Sequence, residues 1–107
     1  MRFCFTFRPR FSSAVKAAFL DRDGVINVDY AYVHSRENFH FIPGALEGAA
    51  ELVRKGHQLI IVTNQSGIGR GKYSIDQFRE LTFWLAGVFA RNHAPLSAVY
   101  FCPHHPT

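Results

Sequence analysis

The stretch that decides the fold class of this 107-residue chain is VKAAFLDRDG, at residues 15–24. Its first six residues form a short, mostly apolar run, which is typical of a buried strand in a parallel sheet. Two carboxylates, Asp21 and Asp23, follow this run, and Gly24 comes next. The stretch therefore predicts a buried strand with an acidic end, where a protein can hold a cation or carry out acid–base chemistry.

Two further apolar runs predict two more strands, QLIIV at residues 58–62 and SAVYFC at residues 97–102. Helical patterns separate the strands, while residues 23–42 predict a flap and residues 63–72 a polar, glycine-rich loop. Strands that alternate with helices indicate right-handed crossovers and a parallel sheet. The order β–flap–α–β–loop–α–β therefore predicts an α/β fold, a Rossmann-like parallel sheet with flanking helices.

The two predicted helices have recognisable ends and apolar faces. The first begins after Pro43 and Gly44, and Gly56 is placed to cap its carboxyl end. The second begins at a capping box formed by Ser74 and Gln77 and runs to about residue 91. The side chains expected to face the core are Leu46, Ala49, Ala50 and Val53 in the first helix and Phe78, Leu81, Leu85, Val88 and Phe89 in the second.

Composition and charge exclude several classes of protein. With 48% apolar and 15% aromatic residues the chain is too hydrophobic to be disordered. Its longest uncharged apolar run, residues 83–90, is too short to span a membrane. The net charge of +4 lies entirely in the first 16 residues, because residues 17–107 carry equal numbers of acids and bases. We therefore expect no nucleic-acid or membrane partner, and a monomer in the cytoplasm.

The first 13 residues, MRFCFTFRPRFSS, differ from the rest of the chain. They predict an arm that is disordered or an artefact of the start site, ahead of a domain at residues 14–107. Phe3, Phe5 and Phe7 alternate with smaller residues, which gives a weak strand signal that Pro9 interrupts. If this segment forms a strand, we expect it to pair along the exposed edge of the first domain strand.

All three predicted domain strands end in polar side chains. In an open parallel sheet the carboxyl ends of the strands meet at one edge, where ligands bind. The side chains expected at this edge are Asp21 and Asp23 after the first strand, Thr63 and Asn64 after the second, and Cys102, His104 and His105 after the third. This convergence predicts a binding site before any family is considered.

Each of these polar clusters also has a simpler interpretation. Asp21 and Asp23 can hold Mg²⁺ and act as nucleophile and acid, or they merely form an acidic turn. The loop that starts at Thr63 offers hydroxyl, amide and backbone N–H groups to a phosphate, or it is an ordinary polar loop. Cys102 and His104 are spaced like half of a zinc site, or they are a free cysteine beside a histidine-rich tail.

Three motifs together carry a resemblance to a known family: DRDGVIN at residues 21–27, TNQSGIGRG at residues 63–71 and CPHHP at residues 102–106. With them the chain resembles the haloacid-dehalogenase superfamily of phosphatases, and within it the group of D-glycero-D-manno-heptose-1,7-bisphosphate 7-phosphatases and histidinol phosphatases. The likeness covers about residues 15–106. It implies a haloacid-dehalogenase-like fold and hydrolysis of the phosphate monoester of a phosphorylated sugar.

The resemblance also implies a role for each matched position. It makes Asp21 the nucleophile that forms an aspartyl-phosphate and Asp23 the general acid and base. Both would hold Mg²⁺, Asp23 through its backbone carbonyl. Cys102 and His104 would be the first two ligands of a structural Zn²⁺. The substrate- and phosphate-binding residues that the resemblance implies are Asp29, Tyr30, Ala31, Tyr32, Thr63, Asn64, Gln65 and Ser66.

The chain departs from the family pattern at its C-terminus. Members of the family continue past CPHHP into a C-x-C pair that completes the zinc site, an Arg-Lys-Pro segment, and a strand with acidic Mg²⁺ ligands. We therefore expect a C-terminally truncated member whose fold is incomplete. Two hypotheses remain, a Mg²⁺-dependent phosphatase that acts on heptose bisphosphate or histidinol phosphate, and a catalytically inactive fragment.

Overall fold

The computed structural model describes residues 3–6 and 16–104 of the chain. Four strands and three α-helices follow one another in these ranges, with a short 3-10 turn at Arg36–Asn38. The elements are β1 (Phe3–Thr6), β2 (Lys16–Leu20), α1 (Ala45–Arg54), β3 (His57–Asn64), α2 (Ser66–Gly69), α3 (Ile75–Arg91) and β4 (Leu96–Cys102). The three predicted domain strands and both predicted helices are therefore present, and α2 is an addition inside the predicted polar loop.

The strands form one sheet with the order β1-β4-β3-β2. Strands β2, β3 and β4 are parallel, with Phe19 beside Ile60 and Ile61 beside Val99. Each parallel neighbour is reached through a helical crossover, which is the connection that parallel strands need. This arrangement confirms the predicted Rossmann-like parallel sheet with flanking helices.

Strand β1 lies at a different place from the one expected for the arm. It runs antiparallel to β4, with Phe5 beside Val99, and not along β2. The physical reason is aromatic packing, because the Phe5 ring lies 5.3 Å from that of Phe101 and 6.2 Å from that of Phe78. The expected pairing with β2 is therefore wrong. Residues 7–13 of the arm lie outside the described residues.

The hydrophobic core lies between one face of the sheet and helices α1 and α3. The buried side chains in this layer are Leu59, Ile61, Val99 and Phe101 from the sheet, Ala49 from α1, and Phe78, Leu81, Leu85 and Phe89 from α3. These include five of the nine positions predicted from helical spacing, while the other four, Leu46, Ala50, Val53 and Val88, are half-buried. Burial of this apolar area is what holds the helices against the sheet.

The predicted helix ends are also confirmed. Gly56 has a φ of +92°, a left-handed conformation that glycine adopts without a steric penalty, and its N–H donates to the carbonyl of Val53 at 2.9 Å. At the start of α3 the Ser74 hydroxyl accepts from the Gln77 N–H at 3.1 Å, and the Gln77 side chain accepts from the Ser74 N–H at 2.8 Å. These caps set where the chain enters the loops that carry the site.

Strand β2 lies at the exposed edge of the sheet, and it is therefore less buried than its apolar run predicts. It pairs with β3 alone among the described strands. Phe19 consequently remains 67% exposed, although its neighbour Ile60 is buried. An apolar run alone cannot distinguish a central strand from an edge strand, because both are built from the same residue types. No helix within residues 3–6 and 16–104 is long and apolar enough to cross a membrane.

Candidate active site

The parallel sheet brings the polar ends of three strands together. Asp21 directly follows β2, Thr63 and Asn64 close β3, and Cys102 closes β4 beside Asn64 in the register of the sheet. These four residues line a cavity of about 370 Å³. The carboxylate of Asp21 is exposed, whereas Thr63 is buried, so that the acid lies at the mouth of the cavity.

A second, smaller cavity of about 160 Å³ joins the flap to the loop after β3. The sequence-predicted residues that line it are Asp23, Asp29, Tyr32, Asn64, Gln65 and Ser66. Tyr30 and Ala31 do not line it; they border a separate cavity of about 410 Å³ near Lys72. The Tyr30 hydroxyl pairs instead with the His40 ring at 3.0 Å. The flap therefore contributes Asp29 and Tyr32 to the polar site and turns its other two predicted residues away from it.

Both carboxylate oxygens of Asp23 accept hydrogen bonds from neighbouring side chains. Oδ1 accepts from Nη2 of Arg22 at 2.8 Å and from Nδ2 of Asn27 at 3.0 Å. Oδ2 accepts from Nε2 of Gln65 at 3.2 Å. A carboxylate held at both oxygens has a fixed orientation, as acid–base chemistry at a defined position requires.

Arg22 connects Asp23 to the flap and was not among the predicted site residues. Its side chain is 3% exposed, and its Nη2 also donates to the carbonyl of Val33 at 2.9 Å. The guanidinium lies over the ring of Phe39, 5.6 Å from its centroid. Its Nε and Nη1 have no hydrogen-bond partner in the part of the chain that the structure describes. The signal available in the sequence was a base placed between two acids directly after an apolar strand.

Gln65 is held by three partners in a buried network. Its Nε2 donates to Oγ1 of Thr63 at 2.9 Å as well as to Asp23. Its Oε1 accepts a short hydrogen bond from the Tyr73 hydroxyl. Burial raises the pKa of Tyr73 to about 12, against an opposing effect of nearby Arg22, so the hydroxyl keeps its proton at neutral pH. Tyr73 is another member of the site that the motifs did not indicate.

The flap packs against the loop after β3 at Gly67. Ala31 and Tyr32 have left-handed φ values of 62° and 57°, and the Asp29 carboxylate accepts from the Ala31 N–H at 2.9 Å. This turn places the Tyr32 ring against Gly67, and the Tyr73 ring packs on the same glycine. A Cβ at Gly67 would lie 2.8 Å from Tyr32 Cδ1 and 2.4 Å from Tyr73 Cε1. A residue without a side chain is therefore needed at this position.

Substitution of this glycine by alanine, Gly67→Ala, is expected to lower the free energy of unfolding by about 2 kcal/mol, because the new methyl group must displace two aromatic rings. The matched control is Gly48→Ala within α1, where a Cβ meets no atom within 4 Å. Gly48→Ala is expected to raise the free energy of unfolding by about 0.5–1 kcal/mol through the helix propensity of alanine. Urea denaturation measures both. Equal stability of the two variants would contradict the close approach at Gly67.

The described residues do not form a zinc site. Cys102 is half-buried and His104 is exposed, but a structural zinc needs four ligands. Within residues 3–6 and 16–104, no group of three or more His, Cys, Asp and Glu side chains is placed to hold a metal. Mg²⁺ has different requirements, since one or two carboxylates together with substrate oxygens suffice for it. The exposed Asp21 carboxylate, beside the oxygens of Thr63 and Asn64, fits that smaller requirement.

Comparison with known proteins identifies relatives of the chain. No family model matches it. The D-glycero-beta-D-manno-heptose-1,7-bisphosphate 7-phosphatase of Vibrio cholerae is 53% identical over 92 residues, which are 86% of this chain and 50% of that protein. The corresponding protein of Haemophilus influenzae is 51% identical over 90 residues, 84% of this chain and 49% of its own length. The chain thus spans about half the length of the curated relatives it matches.

A solved structure resembles this chain in fold as well as in sequence. The D,D-heptose 1,7-bisphosphate phosphatase of B. bronchiseptica, complexed with magnesium and phosphate, superposes with a TM-score of 0.81 at 32% identity. The match covers 86% of this chain and 52% of that one. The three motifs, the parallel sheet and these relatives agree with one another: the chain has a haloacid-dehalogenase-like fold, and it is similar to the heptose-bisphosphate phosphatases over about half of their length.

Proposed function

We propose that the chain is a Mg²⁺-dependent phosphatase that removes the 7-phosphate of D-glycero-D-manno-heptose 1,7-bisphosphate through an aspartyl-phosphate. One observation carries the proposal: Asp21 and Asp23 lie at the end of β2, directly beside the loop from Thr63 to Ser66. Two acids next to a cluster of hydroxyl and amide donors are what phosphoryl transfer to a carboxylate requires. The names of the relatives support the sugar phosphate as substrate.

The proposed reaction has two steps that the two acids share. A carboxylate oxygen of Asp21 attacks phosphorus, the bond from phosphorus to the sugar oxygen breaks, and Asp23 donates a proton to that oxygen. In the second step Asp23 takes a proton from water, which attacks the aspartyl-phosphate and releases inorganic phosphate. Asp21 is restored as a carboxylate and Asp23 regains its proton, so that the cycle closes.

The loop after β3 would bind the transferring group. The Thr63 hydroxyl and the Asn64 side chain offer hydrogen-bond donors at the cavity that Asp21 borders. Ser66 offers a hydroxyl at the smaller cavity, where Gln65 holds Asp23. Mg²⁺, held by the Asp21 carboxylate and the Asp23 backbone carbonyl, would neutralise charge on the phosphate oxygens. Asp29 and Tyr32 line the smaller cavity, where they would contact the sugar. Tyr30 and Ala31 would contact it only after the flap moves.

The remaining proposals concern the bounds of the phosphatase part, its cellular location, its partners and a zinc site. We assign the phosphatase part to residues 14–107 and place the protein in the cytoplasm as a monomer without a nucleic-acid partner. The balance of acids and bases after residue 16 supports the absence of a nucleic-acid partner.

We propose Cys102 and His104 as two ligands of a structural zinc whose other ligands lie outside the described residues. Zinc bound at one equivalent, and lost in Cys102→Ser, would support this site.

Release of inorganic phosphate from the heptose bisphosphate is expected to require Mg²⁺ and to fall by about 10²-fold when EDTA removes the metal. Histidinol phosphate serves as the competing substrate, and the preferred substrate is the one with the higher kcat/KM.

A catalytically inactive fragment is the second candidate, favoured by the lack of a third acidic metal ligand among the residues in the structure. Absence of phosphate release from both substrates with Mg²⁺ present would overturn the phosphatase and support the inactive fragment.

A further inference from the structure

A short series of hydrogen bonds links a tyrosine outside all three motifs to Asp23 and Thr63, for which we propose roles at the phosphate. Tyr73 lies just before α3 and is 6% exposed. Its hydroxyl donates to Oε1 of Gln65, and Nε2 of Gln65 donates to both Asp23 and Thr63. Every hydrogen bond in this series joins two side chains, so its geometry does not follow from the backbone of the loop.

The Tyr73 hydroxyl selects one orientation of the Gln65 amide. A carboxamide has an acceptor end and a donor end, and a phenol that donates must face the acceptor end. The donor end then points to Oδ2 of Asp23 at 3.2 Å and to Oγ1 of Thr63 at 2.9 Å. While Asp23 is ionised, as it is after it has donated its proton, rotation of the amide by half a turn would place the amide oxygen against a carboxylate oxygen and lose that hydrogen bond. Tyr73 and Asp23 therefore favour the same orientation from opposite ends.

This orientation also determines what Thr63 can offer to a ligand. Because the Thr63 oxygen accepts the N–H of Gln65, its own hydroxyl hydrogen stays available for another acceptor. Thr63 borders the cavity at Asp21, where an oxygen of a phosphate ester would be that acceptor. A rotated Gln65 amide would instead draw the Thr63 hydrogen toward the glutamine oxygen and away from the cavity.

Tyr73 is itself firmly held. The His34 ring stacks on its ring with centroids 5.0 Å apart and an interplanar angle of 11°, and Gly67 packs on the ring from the loop. The raised pKa, about 12, keeps the hydroxyl a donor throughout the neutral range. A rigid, protonated phenol is suited to fixing the orientation of a neighbouring amide.

We infer that Tyr73 is a positioning residue, which acts through Gln65 to orient the Asp23 carboxylate and the Thr63 hydroxyl toward an incoming phosphate ester. The inference rests on the proposed function for the roles of Asp23 and Thr63. The series of hydrogen bonds itself can be tested in the protein without any ligand.

The first test is a double-mutant cycle of Tyr73→Phe and Thr63→Val, measured by urea denaturation of the full chain. Each substitution removes one oxygen atom, and no direct hydrogen bond joins the two side chains in the structure. We expect their effects on the unfolding equilibrium constant to be coupled by about threefold to tenfold. In a Gln65→Ala background the same cycle is expected to be additive. Additivity in the natural chain, or equal coupling in both backgrounds, would overturn the inference.

The matched control replaces Thr82 by valine in the same cycle. Thr82 carries a buried hydroxyl in α3 but takes no part in the series of hydrogen bonds that begins at Tyr73. Its cycle with Tyr73→Phe is expected to be additive. A coupling as large as that of Thr63→Val would mean that Tyr73 acts through general packing, and this would overturn the inference as well.

A second measurement decides the case even if Tyr73→Phe does not fold. In the ¹⁵N-labelled natural chain, a Gln65 amide held by Asp23 and Thr63 gives side-chain N–H signals that exchange slowly with solvent. Side-chain N–H signals of Gln65 that exchange as fast as those of an exposed glutamine would overturn the inference. Where the variant folds, its affinity for inorganic phosphate with Mg²⁺ is expected to fall several-fold, while Thr82→Val retains the natural affinity. Failure of the natural chain to bind phosphate would count against the proposed function alone, since the coupling is measured without ligand.

Discussion

Replacement of Arg22 by methionine is expected to lower the free energy of unfolding by about 3 kcal/mol. The substitution removes the guanidinium that donates to Asp23 at 2.8 Å and to the carbonyl of Val33 at 2.9 Å. The carbonyl of buried Val33 loses its hydrogen-bond donor. Asp23, whose side chain is only 22% exposed, loses its positively charged partner. Methionine is unbranched and apolar but shorter, and it lacks the guanidinium that lies over Phe39, so the loss includes that cation–π contact as well as the hydrogen bonds.

One effect opposes this loss, and its size decides how the measurement is interpreted. Nε and Nη1 of Arg22 are buried without partners among the described residues, which itself destabilises the folded chain. The double variant Arg22→Met with Asp23→Asn removes both charges and is expected to recover about half of the loss. The surface control is Arg36→Met, where the side chain is 66% exposed and its effect should stay below about 0.5 kcal/mol. An Arg22→Met chain as stable as the natural one would contradict the anchoring role of this pair.

The elements of this fold follow from the sequence because each is determined by local pattern. The apolar runs before Asp21 and Thr63 predict strands, and the capping box at Ser74 predicts the start of α3. Since parallel strands place their carboxyl ends together, the position of Asp21 beside Thr63 and Asn64 follows from the topology alone. Regularity of the backbone is what makes this part of the site predictable.

Other features depend on contacts between residues far apart in the chain. Gln65 lies inside a recognised motif, but nothing local indicates that its amide joins Tyr73 to Asp23, which is 42 residues away. The partner of β1 is decided in the same way, by the fit of the Phe5 ring against Phe101. Patterns of hydrophobicity identify which side chains are buried, but they do not specify which buried groups meet.

Substitution of the proposed nucleophile, Asp21→Asn, is expected to lower the rate of phosphate release by at least about 10³-fold. An amide oxygen carries no full negative charge and is a poor nucleophile toward phosphorus, and it is also a weaker ligand for Mg²⁺. Because Asp21 is exposed, the variant is expected to unfold at the same urea concentration as the natural chain. The matched control is Asp76→Asn at the start of α3, with a side chain that is 79% exposed and lies outside the three motifs, and its rate should change less than about twofold.

Chemical trapping separates loss of the nucleophile from loss of the metal. Acid quenching during turnover is expected to leave a phosphoryl group on the natural chain, detected by intact mass and mapped to the peptide that contains Asp21. The Asp21→Asn chain is expected to show none at any Mg²⁺ concentration. If higher Mg²⁺ restores both turnover and the adduct, Asp21 acts mainly as a metal ligand, and the nucleophile must be sought elsewhere in the cavity. If the variant turns over normally without extra Mg²⁺, neither role holds, and the two acids at the end of β2 form a structural turn in which Asp23 alone is held by its neighbours.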